Sequence, residues 1–136
     1  MILVLLGTQD KPFLRLLKMV SKEIDKGNIK EKVVAQTGYT AFSDKNMESF
    51  DFKNKEEIEK LIDKARIIIT HAGVGTITEC LEKGKKIIVV PRLKKYLEHT
   101  NDHQMQITKE FEMKGYVIAL YDKSRLSAGL EKKKNF

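Results

Sequence analysis

The chain has 136 residues, 41% of them hydrophobic, and a formal net charge of +7. A chain of that length buries about two-thirds of its unfolded surface, so one domain is expected. No apolar run approaches the roughly 20 residues that span a bilayer, and the single cysteine, Cys80, excludes an internal disulfide and a cysteine-based zinc site. The positive balance suits an anionic partner: nucleic acid, an acidic membrane surface or a phosphorylated small molecule. Lysines spread over most polar segments also describe a plain solvated basic surface.

Ile2–Leu6 is a continuous aliphatic run, too short for a secretory signal and without a basic leader, so it predicts a first strand in a cytoplasmic protein. Phe13, Leu16, Leu17, Val20 and Ile24 then recur at helical spacing until Gly27-Asn28. Val33–Gln36 predicts a second strand, 39–48 a polar loop and Phe50–Phe52 a brief strand. Ile58, Leu61, Ile62 and Ala65 mark a helix. Ile67–Thr70 follows as a strand, Thr76–Lys83 as a helix capped by Gly84, and Ile87–Val90 as a buried strand ended by Pro91. A helix over 102–113 stops at Gly115, and Val117–Leu120 is the last strand. Aliphatic strands separated by amphipathic helices predict an α/β fold: a Rossmann-like, mostly parallel sheet of about six strands with helices on both faces. The unusual polar clusters all follow strands: Gly7-Thr8-Gln9, Gln36-Thr37-Gly38, Thr70 to Thr76 and Pro91-Arg92. They should share one ligand-binding edge.

The segment "THAGVGTITE", Thr70 to Glu79, has the glycines of a phosphate-binding turn. Gly73 and Gly75 allow close backbone approach, and the helix that follows has unpartnered N–H groups suited to a diphosphate. A dinucleotide fingerprint would need glycine at Thr78 and an acidic residue after the next strand, where Pro91-Arg92 stands instead. Thr76 and Glu79 leave two readings open, ligand contacts or a reciprocal capping box. His71 is either a satisfied core histidine or a hydrogen-bonding group at the ligand edge. The second cluster, "EHTNDHQ", allows Asn101 to cap a helix with Gln104 reaching back. It also assembles amide and carboxylate groups of the kind that bind sugar hydroxyls. His99 and His103 have no evident third metal ligand.

Gly7-Thr8-Gln9, Gln36-Thr37-Gly38, "THAGVGTITE", "VPR" and "EHTNDHQ", in this order, resemble the C-terminal, donor-binding half of GT-B glycosyltransferases of the family 28 type. The resemblance runs from about Ile2 to Leu120. It extends in particular to the small subunits of split enzymes, both bacterial capsule and exopolysaccharide galactosyltransferases and the eukaryotic transferase acting on dolichol diphosphate GlcNAc. It implies a single GT-B half over 1–121 and transfer of galactose or GlcNAc from a UDP-sugar to a polyprenyl-diphosphate-linked saccharide in surface polysaccharide synthesis. It implies no cofactor and no catalytic metal. Gly73, Val74, Gly75 and Thr76 would then meet the diphosphate, and Glu79 the ribose. Asn101, Asp102, His103 and Gln104 would meet the sugar, while Gly7, Thr8, Gln9 and Gln36 would line the cleft. His71 and Arg92 are the candidate catalytic residues, Arg92 and the helix N-terminus stabilising the departing UDP.

The same resemblance implies a membrane-associated partner subunit that carries the lipid-linked acceptor and recruits this chain to the inner face of the membrane. The basic segment 122–136, with Leu126 and Leu130 one helical turn apart, is expected to be a solvated tail on composition and a partner-docking segment by resemblance. A stand-alone nucleotide-sugar-binding module is the alternative. Nucleic-acid binding is not expected, since the lysines are not gathered on one element and no surface aromatics interleave with them.

Overall fold

The structure, a computed structural model, describes residues 1–121 and 126–131. The first half of the chain gives β1 (Ile2–Leu5), α1 (Leu14–Asp25), β2 (Val33–Gln36), β3 (Glu48–Phe50), α2 (Lys55–Lys64) and β4 (Ile67–Thr70). The second half gives α3 (Val74–Glu82), β5 (Lys86–Val89), a 3-10 turn (Lys94–Tyr96), α4 (His103–Met113), β6 (Ile118–Ala119) and α5 (Leu126–Glu131). The strands form one six-stranded, all-parallel sheet in the order β3-β2-β1-β4-β5-β6. That is the Rossmann-like α/β half-domain the sequence predicts, with the all-parallel sheet covered by helices.

Period-two alternation within the strands divides the core. Ile2, Val4, Leu6, Val33, Ala35, Ile67, Ile69 and Ile88 pack with α1 and α5 on one face. Leu3, Leu5, Val34, Ile68, Ile87 and Val89 pack with α2, α3 and α4 on the other. Both faces are therefore buried, which is why these strands are aliphatic without polar interruption. Gly84, at φ +67°, closes α3: its N–H donates to Leu81 O at 3.0 Å and that of Lys85 to Cys80 O at 3.1 Å. This is the left-handed turn a glycine allows after a helix.

Register places the site. Leu5 lies opposite both Gln36 and Thr70, and Thr70 opposite Val89, so β1, β2, β4 and β5 end at one level. The residues that follow these strand ends therefore emerge along a single edge. Strand order reverses direction between β1 and β4, the topological switch point where such sheets open a crevice.

Three expectations shift. The brief strand is Glu48–Phe50 rather than Phe50–Phe52, because it pairs with Val34 to Gln36 as an exposed edge strand. The last strand narrows to Ile118–Ala119, where only two residues pair with β5. The third concerns the expected solvated tail, which is a packed helix over Leu126–Glu131. Leu126 is 2% exposed, Leu130 packs on the same core, and Gly129 lies against Leu120 and Ile118. These leucines serve the chain's own sheet. The remainder of the proposed docking segment, 122–125 and 132–136, lies outside the described residues.

Candidate functional site

The β4–α3 loop is built around the side chain of His71, which is 6% exposed. The imidazole fills the gap between the loop after β1 and the loop after β4. A methyl group on Gly7 would overlap its Nε2, and one on Gly73 would lie 2.7 Å from it. Gly7 also has φ +83°, which a side chain rarely adopts. Both glycines are thus required by the histidine itself. Gly75 is different: nothing lies within 4 Å of where its Cβ would be, and its backbone is helical. Glycine costs a helix roughly 0.5–1 kcal/mol relative to alanine, and no packing here repays that cost.

Gln104 holds the histidine. Its Oε1 accepts the backbone N–H of Ala72 at 3.2 Å and that of Arg92 at 3.0 Å. With the oxygen so engaged, the amide NH₂ faces His71 Nδ1, 3.1 Å away. Nδ1 must then accept, so the neutral ring carries its proton on Nε2, the corner nearest Gly7 and Gly73. Burial, reinforced by the positive charge of Arg92, pushes the His71 pKa down to about 4. At neutral pH the group is an uncharged N–H donor.

A second buried amide does the same for the first loop. Gln36 accepts the Gly7 N–H at 3.2 Å and donates to Gly7 O at 3.1 Å, bracketing that peptide. Gly7, Thr8, Gln36 and Thr76 line one small cavity of about 140 Å³ with Phe52 and Lys53. Phe52 is 41% exposed and edge-on to Tyr39, with ring centroids 5.1 Å apart. The sequence reading missed Phe52 and Lys53; an aromatic followed by a cation in a short polar strand region was the only signal.

α3 begins at Val74, with Gly73 as N-cap and no side-chain cap. Ile77 N–H is the one that reaches Gly73 O, at 3.0 Å, so the N–H groups of Val74, Gly75 and Thr76 precede the helical ladder. The capping-box reading of Thr76 and Glu79 is therefore corrected: Thr76 lies inside the first turn and Glu79 a turn further on. Glu79 Oε1 is instead buried without a hydrogen-bond partner, a costly state for a carboxylate oxygen unless a ligand donates to it.

Arg92, expected beside the leaving group, is turned inward and 1% exposed. Its guanidinium donates to Leu6 O at 2.7 Å, Lys11 O at 2.7 Å and Glu98 O at 3.1 Å, and stacks over Phe13. Burial lowers its pKa to about 10, so it remains charged and ties the β1–α1 loop to the β5–α4 loop. The expected Asn101–Gln104 capping box is not formed either, since Gln104 points into the core. Asn101 Oδ1 accepts His103 N–H at 2.8 Å, and Asp102 Oδ1 accepts Lys94 N–H at 2.9 Å. Asn101, Asp102 and His103 are exposed beside the edge, and Gln9 is half-buried in the β1–α1 loop.

The model of the glycosyltransferase family 28 C-terminal domain matches residues 1–135. The chain belongs to this family. Among curated relatives, the family 28 domain is 34% identical over 67 residues to the human UDP-N-acetylglucosamine transferase subunit ALG13, covering 49% of this chain and 6% of that protein. It is 32% identical over 81 residues to the ALG13 subunit of Candida albicans, covering 60% and 26% respectively. The chain thus spans about a quarter or less of these two relatives. An NMR solution structure of ALG13 superposes with a TM-score of 0.62 over 98% of this chain and 86% of that one, at 21% identity, a likeness of fold.

Two outcomes test this geometry. Gly73→Ala should destabilise the domain by about 1–3 kcal/mol through the clash with His71, whereas Gly75→Ala should leave stability unchanged or raise it by about 0.5 kcal/mol, both read from denaturant midpoints. The folded protein takes up a proton on His71 only near pH 4, while the unfolded chain does so at 6.5. The unfolded state then holds more protons between these values, and stability falls as pH is lowered through that window. In His71→Gln the slope of unfolding free energy against pH should be shallower there than in the wild type; equal slopes would show that His71 ionises normally in the fold.

Proposed function

We propose that this chain is the donor-binding subunit of a two-chain glycosyltransferase that moves a sugar from a UDP-sugar to a polyprenyl-diphosphate-linked saccharide. The observation that carries the proposal is the bare first turn of α3. Gly75 has no packing reason to be glycine, and the N–H groups of Val74, Gly75 and Thr76 precede the helical ladder. His71 Nε2 lies between Gly7 and Gly73, just past the ends of β1 and β4. A diphosphate fits this arrangement, because N–H dipoles and the helix N-terminus stabilise the charge that grows on a departing UDP. Glu79, with its unpartnered oxygen, accepts the ribose hydroxyls. Phe52, exposed at the cavity it lines with Gly7, Thr8 and Thr76, offers a face to the base.

Asn101, Asp102 and His103, exposed beside the edge, meet the sugar in this reading. Gln104 and Gln36 act one step back: they position His71 and Gly7 rather than touch the ligand. Arg92 acts through its charge, which helps keep His71 neutral. Positioning and electrostatic stabilisation supply the chemistry on this side. The base that activates the acceptor hydroxyl, and the acceptor itself, belong to a membrane-associated partner. Two relatives named as transferase subunits support the two-chain reading. Their names also favour GlcNAc over galactose as the sugar.

Calorimetry with UDP, ADP and NAD tests the donor site. UDP should bind in preference, and Glu79→Ala should weaken it about tenfold or more, the loss of one or two charge-assisted hydrogen bonds, with a melting temperature no lower than the wild type's, since the buried oxygen has no partner to lose. Equal affinity for the three nucleotides would refute the assignment. The two-chain reading predicts that the purified chain binds UDP-sugar yet transfers nothing until a membrane-associated partner is added; transfer by the chain alone would contradict it, and binding with no turnover in any combination would leave a nucleotide-sugar-binding module.

A further inference from the structure

The turn after β5 shows a leucine where a leucine is poorly suited. Leu97 has φ +59°, the one positive φ outside glycine among the described residues, and its side chain is 78% exposed. A left-handed conformation strains a leucine, and water is a poor neighbour for it. The turn is nevertheless held firmly. Leu97 N–H donates to Lys94 O at 2.9 Å and Glu98 N–H to Leu93 O at 3.2 Å. Glu98, 3% exposed, accepts from Arg15 Nη2 at 2.9 Å and from Leu93 N–H at 3.1 Å, and its carbonyl accepts from Arg92. The fold therefore presents Leu97 outward from a braced platform.

Its surroundings identify what it meets. Tyr96, 45% exposed, lies under the Arg15 guanidinium at 5.0 Å, which joins the turn to the first turn of α1. There Leu14 is 36% exposed, and Lys18 continues the same helix face. Lys94 and Lys95 immediately precede the tyrosine and are exposed. Of the nearby acids, Glu98 pairs with Arg15 and Asp102 accepts the Lys94 amide, while Asp10 lies exposed on the Arg92 side of the turn. The result is a small apolar tip of Leu97, Tyr96 and Leu14 set among cations.

We infer that this tip, formed by the Leu93–Glu98 turn and the start of α1, is a peripheral contact with an anionic bilayer surface. Leu97 and Tyr96 enter the headgroup boundary, and Lys18, Lys94 and Lys95 meet acidic lipids. A few apolar side chains among lysines are far short of the roughly 800 Å² per partner of a stable protein interface. They match the two-part pattern of interfacial binding, modest apolar insertion plus attraction of nearby cations to acidic lipid. The tip follows β5 on the edge that carries the donor crevice, so docking would turn that crevice toward the membrane. The inference stands on its own whether or not the donor is a UDP-sugar.

The test is co-sedimentation of the full chain with vesicles of phosphatidylcholine alone and with about 30 mol% phosphatidylglycerol, without nucleotide or partner. The wild type should bind the anionic vesicles and be released by about 0.5 M NaCl. Asparagine tolerates the left-handed region, so Leu97→Asn keeps the turn, melts no lower than the wild type, and should bind about tenfold more weakly. Lys94→Glu with Lys95→Glu should lose binding at least as far. Absence of wild-type binding to anionic vesicles, or binding equal in all three proteins, would overturn the inference; the second result would assign membrane affinity to another basic surface.

Discussion

The carboxamide of Gln104 is the bond on which the candidate site depends. Its oxygen takes backbone N–H groups from Ala72 and Arg92, the residues that leave β4 and β5, and its nitrogen faces His71. One side chain on α4 thereby fixes the separation of two strand-end loops and the tautomer of the ring between them. Only glycine leaves room beside that ring, so Gly7 and Gly73 follow from the histidine. Gln36 repeats the device on the other side by bracketing Gly7. Two buried amides thus hold the edge open before any ligand arrives, the preorganisation that electrostatic stabilisation of a leaving group requires.

The cost of that arrangement is met inside the fold. Arg92 is a buried cation whose hydrogen bonds go to three backbone carbonyls rather than to a carboxylate. Its charge reaches His71, where it adds to burial in keeping the imidazole neutral. Under the proposed function the neutral ring would meet a diphosphate as a hydrogen-bond donor beside the α3 N-terminus rather than as a cation. The same guanidinium, with Arg15 and Glu98, braces the turn that exposes Leu97. Ligand edge and surface tip therefore share one polar framework.

Much of the fold is legible in the sequence because both sheet faces are buried: β2 and β4 coincide with aliphatic runs bounded by polar strand ends. The start of α3 is not legible, since Gly73 and Gly75 read as a turn and draw the helix start to Thr76, while the backbone enters the helix at Val74. β3 is displaced for a different reason: Glu48 and Ser49 are exposed on an edge strand and carry no alternation, so the aromatics at 50 and 52 set the expected frame. Within the site, the loops and residue types stand out, but side-chain direction does not. Arg92 reads as a ligand group because polar residues after strands usually face the crevice, and Gln104 because it belongs to the amide and carboxylate cluster at 101–104 that the resemblance assigns to the sugar. Their inward turn depends on backbone groups brought together by the tertiary fold. Tyr39 and Phe52, distant in sequence, become an aromatic wall only once β2 and β3 pair.

The central claim is that a neutral His71, its proton held on Nε2 by Gln104, is one of the donors to a nucleoside diphosphate. Imidazole ¹⁵N NMR of the labelled chain at neutral pH, before and after saturation with UDP, tests it most directly. His71 should show an unprotonated Nδ1 and a protonated Nε2 throughout, with the Nε2–H resonance moving when UDP binds. A doubly protonated ring, the opposite tautomer, or an Nε2–H signal indifferent to UDP would contradict it.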